Sequence, residues 1–539
     1  MADEFSRPVM GGPTRLGLTR RGLIERLGAV GGMGLMLAGM EAFGFGIASA
    51  NAAPPALPGS GAGKKVIILG GGLAGLTSAY ELSKVGYDCT IIEARAFAGG
   101  RSQTARKGVT MTDLTGVTQT CDFDEGLYIN HGPWRIPYHH RSTLHYVKEF
   151  NVPVEIFVND NDASYLYFEK GGGPLAGKPI RKGQIAADAR GHSAEILAKL
   201  ANKGGLDDQI GAGDKEQFIA YLVNEGYLSK KDLTYTGTEG RGFDVPPGAL
   251  MDPGRGKPST PYAMSDILHS NTWRTLTSVS AYEQQRTMFE PVGGMDQIPK
   301  GFEKRIGNLI HYSTEVEKVT QDAKGVTVLA VDAQGQRSTY KADYCICAIP
   351  LAVLKSIDMP FSPKFKDAVG GVAYAPVGKI GLQMKRRFWE EDHHIYGGHV
   401  YTDVPEINSM SFPSTGWMSQ KGVILGYYQF AAQAAQISTL SPADRAKFAV
   451  DFGQKVFPEY ADSFEKAFSV AWHLVKYNQG GWAEWDEDGR RDAYPILCEP
   501  EGRIYLAGEH MSYLTGWQAG AIESAWGQIA KLHKRAQAA

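Results

Sequence analysis

The run KKVIILGGGLAGLTSAYELSKVGYDCTIIEAR, residues 64–95, constrains the fold more than any other part of the chain. Two apolar runs, 66–69 and 89–92, flank an amphipathic stretch at 74–84, which is the pattern of strand, turn, helix and strand. Gly70, Gly72 and Gly75 at the turn spell G-x-G-x-x-G. The first glycine permits the tight turn, the second lets a pyrophosphate reach the backbone, and the third lets the helix pack on the strand. The helix N-terminus then faces the phosphates. Glu93 ends the second strand roughly 20 residues beyond the turn, where an acid accepts ribose hydroxyls. The expectation is a βαβ dinucleotide site within an α/β fold.

The rest of the chain must supply further domains, since 539 residues exceed one ordinary domain. With 43% apolar residues and 66 glycines, the composition suits a packed enzyme with many tight turns. Lys plus Arg (56) nearly balance Asp plus Glu (58), so no basic field points to nucleic acid. The five cysteines have no metal-ligand spacing and read as buried thiols.

At the N-terminus, TRRGLIERLG (19–28) precedes a Gly-rich apolar run ending in Ala48, Ser49 and Ala50. A paired arginine before a weakly hydrophobic segment resembles a twin-arginine export signal. Residues 1–53 are therefore expected to be cleaved near 50–53, with the export machinery as a partner and a periplasmic or secreted destination. Glu41 and the glycines interrupt the run, and no later segment is apolar enough to span a bilayer, so no stable membrane anchor is expected.

After the linker APPALPGSGAG, residues 171–261 turn polar and Gly/Lys-rich with helix-like patches, whereas 313–350 alternates β-branched and polar residues as short strands do. Further strand signals surround GKIGLQMKRRFW and GVILGYYQF, and the chain closes with GRIYLAGEH and a helical tail. Nucleotide-type strands at both ends imply interleaved domains.

Three more blocks specify the dinucleotide: EARAFAGGR with Gly99, Gly100 and Arg101; EPVGGMDQIPKGF with Gly293, Gly294 and Met295; and GRIYLAGEHMSYLTGWQAGAIESA with Glu509 and residues 516–520. In this order the set resembles the flavin-dependent amine oxidase superfamily, over about residues 64–535. The resemblance implies FAD across the chain, with Gly70, Gly72, Ala74 and Gly75 at the turn. Glu93, Ala94 and Arg95 would lie at the ADP ribose, Gly100 and Arg101 near the phosphates, and Val316 at the adenine. Pro133, Trp134 and Arg135 would lie beside the flavin, Glu509 by the ribityl-pyrophosphate, and Gly516, Trp517, Gln518 and Ala519 under the ring. A helix N-terminus there would favour electron density building at the flavin N1/O2 edge.

The architecture so implied is a Rossmann-like FAD domain (64–130, 291–350, 485–535), a sheet-based substrate domain (131–170, 351–484) and a helical insertion (171–290). Lys379 lies in an apolar strand, where an ammonium needs a reason to be; the resemblance gives it a water-mediated reach to flavin N5. Relatives that link their flavin use a cysteine just after a Gly-Gly pair, but here Trp482 follows Gly480 and Gly481, so noncovalent FAD is expected.

HGPWRIPYHH (131–140) carries the substrate reading. A Gly-x-x-Arg-x-Pro segment resembles the amino acid oxidases, implying that Arg135 grips an α-carboxylate in a bidentate pair, with Tyr428 sharing the contact. Trp134, Trp482 and Trp517 suggest a large apolar or aromatic side chain, with Trp482, Gly516 and Trp517 contacting substrate. The expected activity is oxidation of an L-amino acid by O2 to a 2-oxo acid, ammonia and H2O2. The alternatives are a tryptophan-type 2-monooxygenase giving an amide, and an amine or polyamine oxidase in which Arg135 is structural. His131, His139 and His140 lack spaced partners and are read as core or surface histidines, so no metal is expected. No residue declares itself as the base for the substrate amine. The oligomeric state is left open, a homodimer included.

Overall fold

The computed structural model describes residues 52–211, 213–278 and 280–538. The twin-arginine motif and the apolar run after it lie outside these residues. Strand Lys65–Leu69 sits at the middle of a five-stranded sheet, in the order Ile310–His311, Asp88–Ile92, Lys65–Leu69, Tyr344–Cys347, Ile504–Leu506. All four pairings are parallel. A parallel sheet needs cover on both faces, and the alternation within Val66-Ile67-Ile68-Leu69 provides for it.

Val66 and Ile68 pack under the helices Leu73–Lys84, Arg141–Glu149, Gln297–Ile306 and Gln518–Ala538. Ile67 and Leu69 face a three-stranded antiparallel layer of Thr314–Gln321, Val326–Asp332 and Arg337–Ala342. The strands therefore come from both ends of the chain. Gly75 makes the close helix–strand contact, because a Cβ there would stand 2.0 Å from the Gly70 carbonyl oxygen.

A second, seven-stranded sheet runs in the order Phe464–Ala471, Val377–Met384, Gly422–Phe430, Ser409–Ser411, His399–Thr402, Tyr165–Tyr167, Ile180–Arg181. Val377–Met384 is buried along its whole length. It has partners on both sides and helix Pro442–Val456 packed nearby. The fold is thus mixed α/β.

The segment expected as a helical insertion does hold the helices Lys182–Asn202, Lys215–Glu225 and Met264–Ser270. Its margins are strands: Ile180–Arg181 edges the large sheet, and Thr287–Pro291 pairs antiparallel with Val154–Val158. These strands are too short for two-residue alternation to stand out among neighbouring lysines and glycines. Among the described residues, no helix is long and apolar enough to cross a membrane.

Candidate active site

A cavity of about 680 Å³ begins at the glycine turn and reaches Trp517, with walls from both sheets. Gly70, Gly72 and Ala74 line its nucleotide end. Buried Glu93 accepts the Gly71 amide at 2.6 Å and the Arg95 amide at 2.8 Å, which fixes the carboxylate beside the turn. Gly100 closes on this turn so tightly that a Cβ would stand 3.1 Å from the Gly72 Cα, and its φ of +59° also favours glycine.

Arg101 donates to Glu509 at 2.9 Å and to the Gly481 carbonyl at 2.7 Å. Glu509 in turn accepts the Gly516 amide at 3.2 Å, so the first and last blocks of the sequence are clasped together. Ala94, Arg95, Val316, Pro133, Gly516 and Gln518 also line the cavity. Two residues expected at the cofactor do not: Gly75 is buried against Gly70, and Ala519 is fully buried in the first turn of the C-terminal helix. A chamber that carries a glycine turn, a fixed carboxylate and two helix N-termini fits a dinucleotide. The unpartnered Oε1 of buried Gln518 adds a free acceptor at the second helix.

Past the nucleotide end lie the residues predicted to meet substrate. Arg135 is 7% exposed, and its loop is pinned by the reciprocal Ile136–Phe289 backbone bonds of 2.7 and 2.9 Å. Its Nη2 donates to Gln284 at 2.9 Å while buried Nε has no partner. The guanidinium stands 5.3 Å from the Trp134 ring and 5.9 Å from the Trp517 ring. Among the described residues no carboxylate pairs with it. A structural arginine would have found one, because an unpaired buried charge is costly.

Lys379 and Tyr428 are register partners on adjacent strands, Val377–Met384 and Gly422–Phe430. The ammonium lies 4.4 Å from the Tyr428 ring and donates to the Gly132 carbonyl at 2.6 Å. Burial, and then the Arg135 charge, hold its pKa well below the usual lysine range. Burial likewise pushes the Tyr428 phenol up to about 12, so it stays a donor. Gly132 itself admits no side chain: a Cβ would stand 1.9 Å from the Arg101 carbonyl oxygen.

Trp134, Trp472, Trp482 and Trp517 all face the cavity, together with Phe430, which no sequence motif marks. Among the described residues, no cysteine does. His131 is a core histidine, stacked on Trp472 with ring centroids 5.7 Å apart and its pKa lowered to about 3 by burial and by Lys379.

His139 and His140 have a different setting. They converge with Glu283 so that the three ligand-type atoms lie within 4.8 Å of one another, all buried. His140 also lines the cavity. Glu283 and Gln284 come from the margin of the insertion, where nothing in the sequence links them to residues 131–140.

Fold and cavity define a dinucleotide-dependent oxidoreductase whose reaction chamber lies between two sheets. The chain belongs to the family of flavin containing amine oxidoreductases, whose model matches residues 73–528. It is 28% identical over 479 residues to a putative L-amino-acid oxidase of Bacillus subtilis, covering 86% of this chain and 93% of that one. It is 27% identical over 473 residues to an L-amino-acid oxidase of Bungarus fasciatus, covering 86% and 85%. Among solved structures it resembles a putrescine oxidase variant (TM-score 0.59, 17% identity, 88% of this chain and 99% of that one). It also resembles the cyclohexylamine oxidase of Brevibacterium oxydans (TM-score 0.58, 15% identity, 88% and 99%). At such identities the structural likeness establishes the fold alone.

Proposed function

We propose that the protein is an FAD-dependent L-amino acid oxidase that favours large apolar or aromatic substrates. The observation that carries this reading is Arg135: a buried guanidinium, without a carboxylate partner among the described residues, on the wall of the reaction chamber. An α-carboxylate would supply the missing charge in a bidentate pair. The Tyr428 phenol, beside Lys379 on the adjacent strand, would donate to the same group. With the carboxylate fixed, Cα is held in one orientation, which is the entropic part of catalysis. Trp134, Trp482 and Trp517 enclose the side chain and exclude water.

When bound, FAD supplies the two-electron acceptor for the Cα hydride and passes the electrons to O2. Gly70, Gly72, Glu93, Arg101 and Glu509 would hold it, and Trp482 in place of a cysteine supports noncovalent attachment. Lys379, whose pKa burial and the Arg135 charge hold well below the usual lysine range, is suited to holding a water and moving a proton at the chamber wall.

The deciding assay offers the purified holoenzyme the twenty L-amino acids and their decarboxylated amines, with H2O2, 2-oxo acid and amide as readouts. Formation of 2-oxo acid with H2O2 is expected. Turnover of amines alone would mark an amine oxidase, and amide formation a monooxygenase. We further propose that residues 1–53 direct export in the folded state; a fusion of this segment to a reporter should reach the periplasm only while Arg20 and Arg21 are intact.

A further inference from the structure

We propose that Glu283, His139 and His140 form the proton acceptor for the substrate ammonium, with His140 as the point of exchange at the chamber wall. The proposal deepens the oxidase reading above and rests on it for the identity of the substrate.

The cluster is built across a long stretch of chain. His140 Nε2 lies 2.8 Å from Glu283 Oε2, and His139 Nε2 lies 3.3 Å from Oε1, so each carboxylate oxygen faces one imidazole. All three side chains are nearly inaccessible, at 2–6% exposure. With both imidazoles neutral the cluster buries a net negative charge, and among the described residues no lysine or arginine pairs with Glu283. A group in that position has a place for one proton. Burial pushes the Glu283 carboxyl up, but the adjoining imidazoles of His139 and His140 outweigh it and hold the group below the usual carboxylate range. The acceptor is therefore the cluster as a whole, one carboxylate faced by two imidazoles.

His140 connects this store to the chamber. It lines the cavity and stands edge-on to Trp517, with ring centroids 4.8 Å apart at 89°. Other groups among the described residues also face the pair. Tyr138 and Tyr282 pack on His139, and Gln285 meets its Nδ1 at 3.0 Å. Ser142, on the helix that follows His140, is tied to Glu523 of the C-terminal helix at 2.8 Å.

Arg135 is the neighbouring cation, held by Gln284, the residue next to Glu283. Carboxylate capture and proton acceptance are thereby coupled through adjacent residues of one loop. In the step itself an ammonium N–H bond breaks and an imidazole N–H bond forms, with no electron transferred. The amine lone pair so released can drive hydride departure from Cα, and the imidazolium proton returns to solvent after product leaves.

The test is anaerobic flavin reduction by the best amino acid, followed by stopped flow from pH 5.5 to pH 10 in the wild-type holoenzyme and in His140→Gln and Glu283→Gln. Loss of a general base costs roughly 10²–10⁴-fold. We expect His140→Gln to be slowed about a hundredfold near neutrality and to recover to within a few-fold at the alkaline end, where the substrate amine is already unprotonated. Glu283→Gln should show the same recovery with a smaller deficit. Flavin content and the affinity for an aromatic carboxylate lacking the amine should stay near wild type. A deficit uniform across pH would mean a structural role and would overturn the proposal, as would an unchanged profile. So would one tightly bound divalent metal per chain in the wild type. If only amines reduce the flavin, the amino acid reading fails separately, and the same pH signature is read with that amine.

Discussion

Removing the Arg135 guanidinium should separate carboxylate capture from every other property of the chamber. In the structure one of its N–H groups is committed to Gln284, and buried Nε has no partner. The fork therefore retains enough donors for a bidentate carboxylate. Hydrogen bonds to a charged group are worth about 1.5–3 kcal/mol each, and two bonds on one fork are not fully additive. A net loss of about 3–4 kcal/mol is the expected scale, which at 1.4 kcal/mol per decade is roughly 10²–10³-fold in kcat/KM. The assay compares an amino acid with its decarboxylated amine, such as phenylalanine and phenethylamine, in wild type, Arg135→Lys and Arg135→Ala. The amino acid should lose the full factor in Arg135→Ala and a smaller one in Arg135→Lys, whose ammonium offers charge without the fork. The amine should lose little. Flavin occupancy, read from absorbance, controls for collapse of the emptied site. An unchanged KM for the best amino acid in Arg135→Ala would refute the clamp.

Four further outcomes follow from other parts of the molecule. Glu93→Ala removes the carboxylate that orders the Gly71 and Arg95 amides; FAD affinity, titrated by fluorescence, should fall at least tenfold. Acid precipitation of the holoenzyme should release all yellow colour into the supernatant; colour retained in the pellet would contradict noncovalent attachment. Gly132→Ala would drive a methyl into the Arg101 carbonyl, and the soluble yield of flavin-loaded protein should drop sharply.

Glu290, facing Glu155 across the strand pair, has its pKa raised to about 8 by burial and then by that neighbour. A folded-state value above the unfolded one means stability that is full below about pH 4.5 and is lost as pH rises through about 8. The thermal midpoint of Glu290→Gln should therefore gain on wild type between pH 5 and pH 8.5. A constant difference would show that the carboxyl is not protonated in the fold.

The nucleotide half was largely legible because its residues are local and chemically forced. A glycine that must admit a pyrophosphate, and an acid at the end of the next strand, sit within one βαβ unit. Lys379 and Tyr428 were each legible from their segments, but their partnership was not, since strand register depends on pairing across residues far apart in the chain. Glu283 and Gln284 escaped altogether. They lie in a polar stretch without periodicity, and only the pairing of Thr287–Pro291 with Val154–Val158, with the Ile136–Phe289 bridge, brings them to residues 135–140. For that reason the histidine pair looked isolated in sequence and is a connected cluster in space. At Ala519 the motif marks the turn of helix, whereas which side chain faces the wall depends on how that helix packs.

The parallel sheet has a temporal side as well. Its central strand leaves the ribosome near residue 65, while the edge strand Ile504–Leu506 comes almost last. At about 5–20 residues per second, the opening βαβ unit waits tens of seconds or more for its final neighbour. The Arg101–Glu509 clasp cannot form before then. A chain stalled or clipped before residue 504 would expose the apolar flank of Tyr344–Cys347 and lack one wall of the chamber.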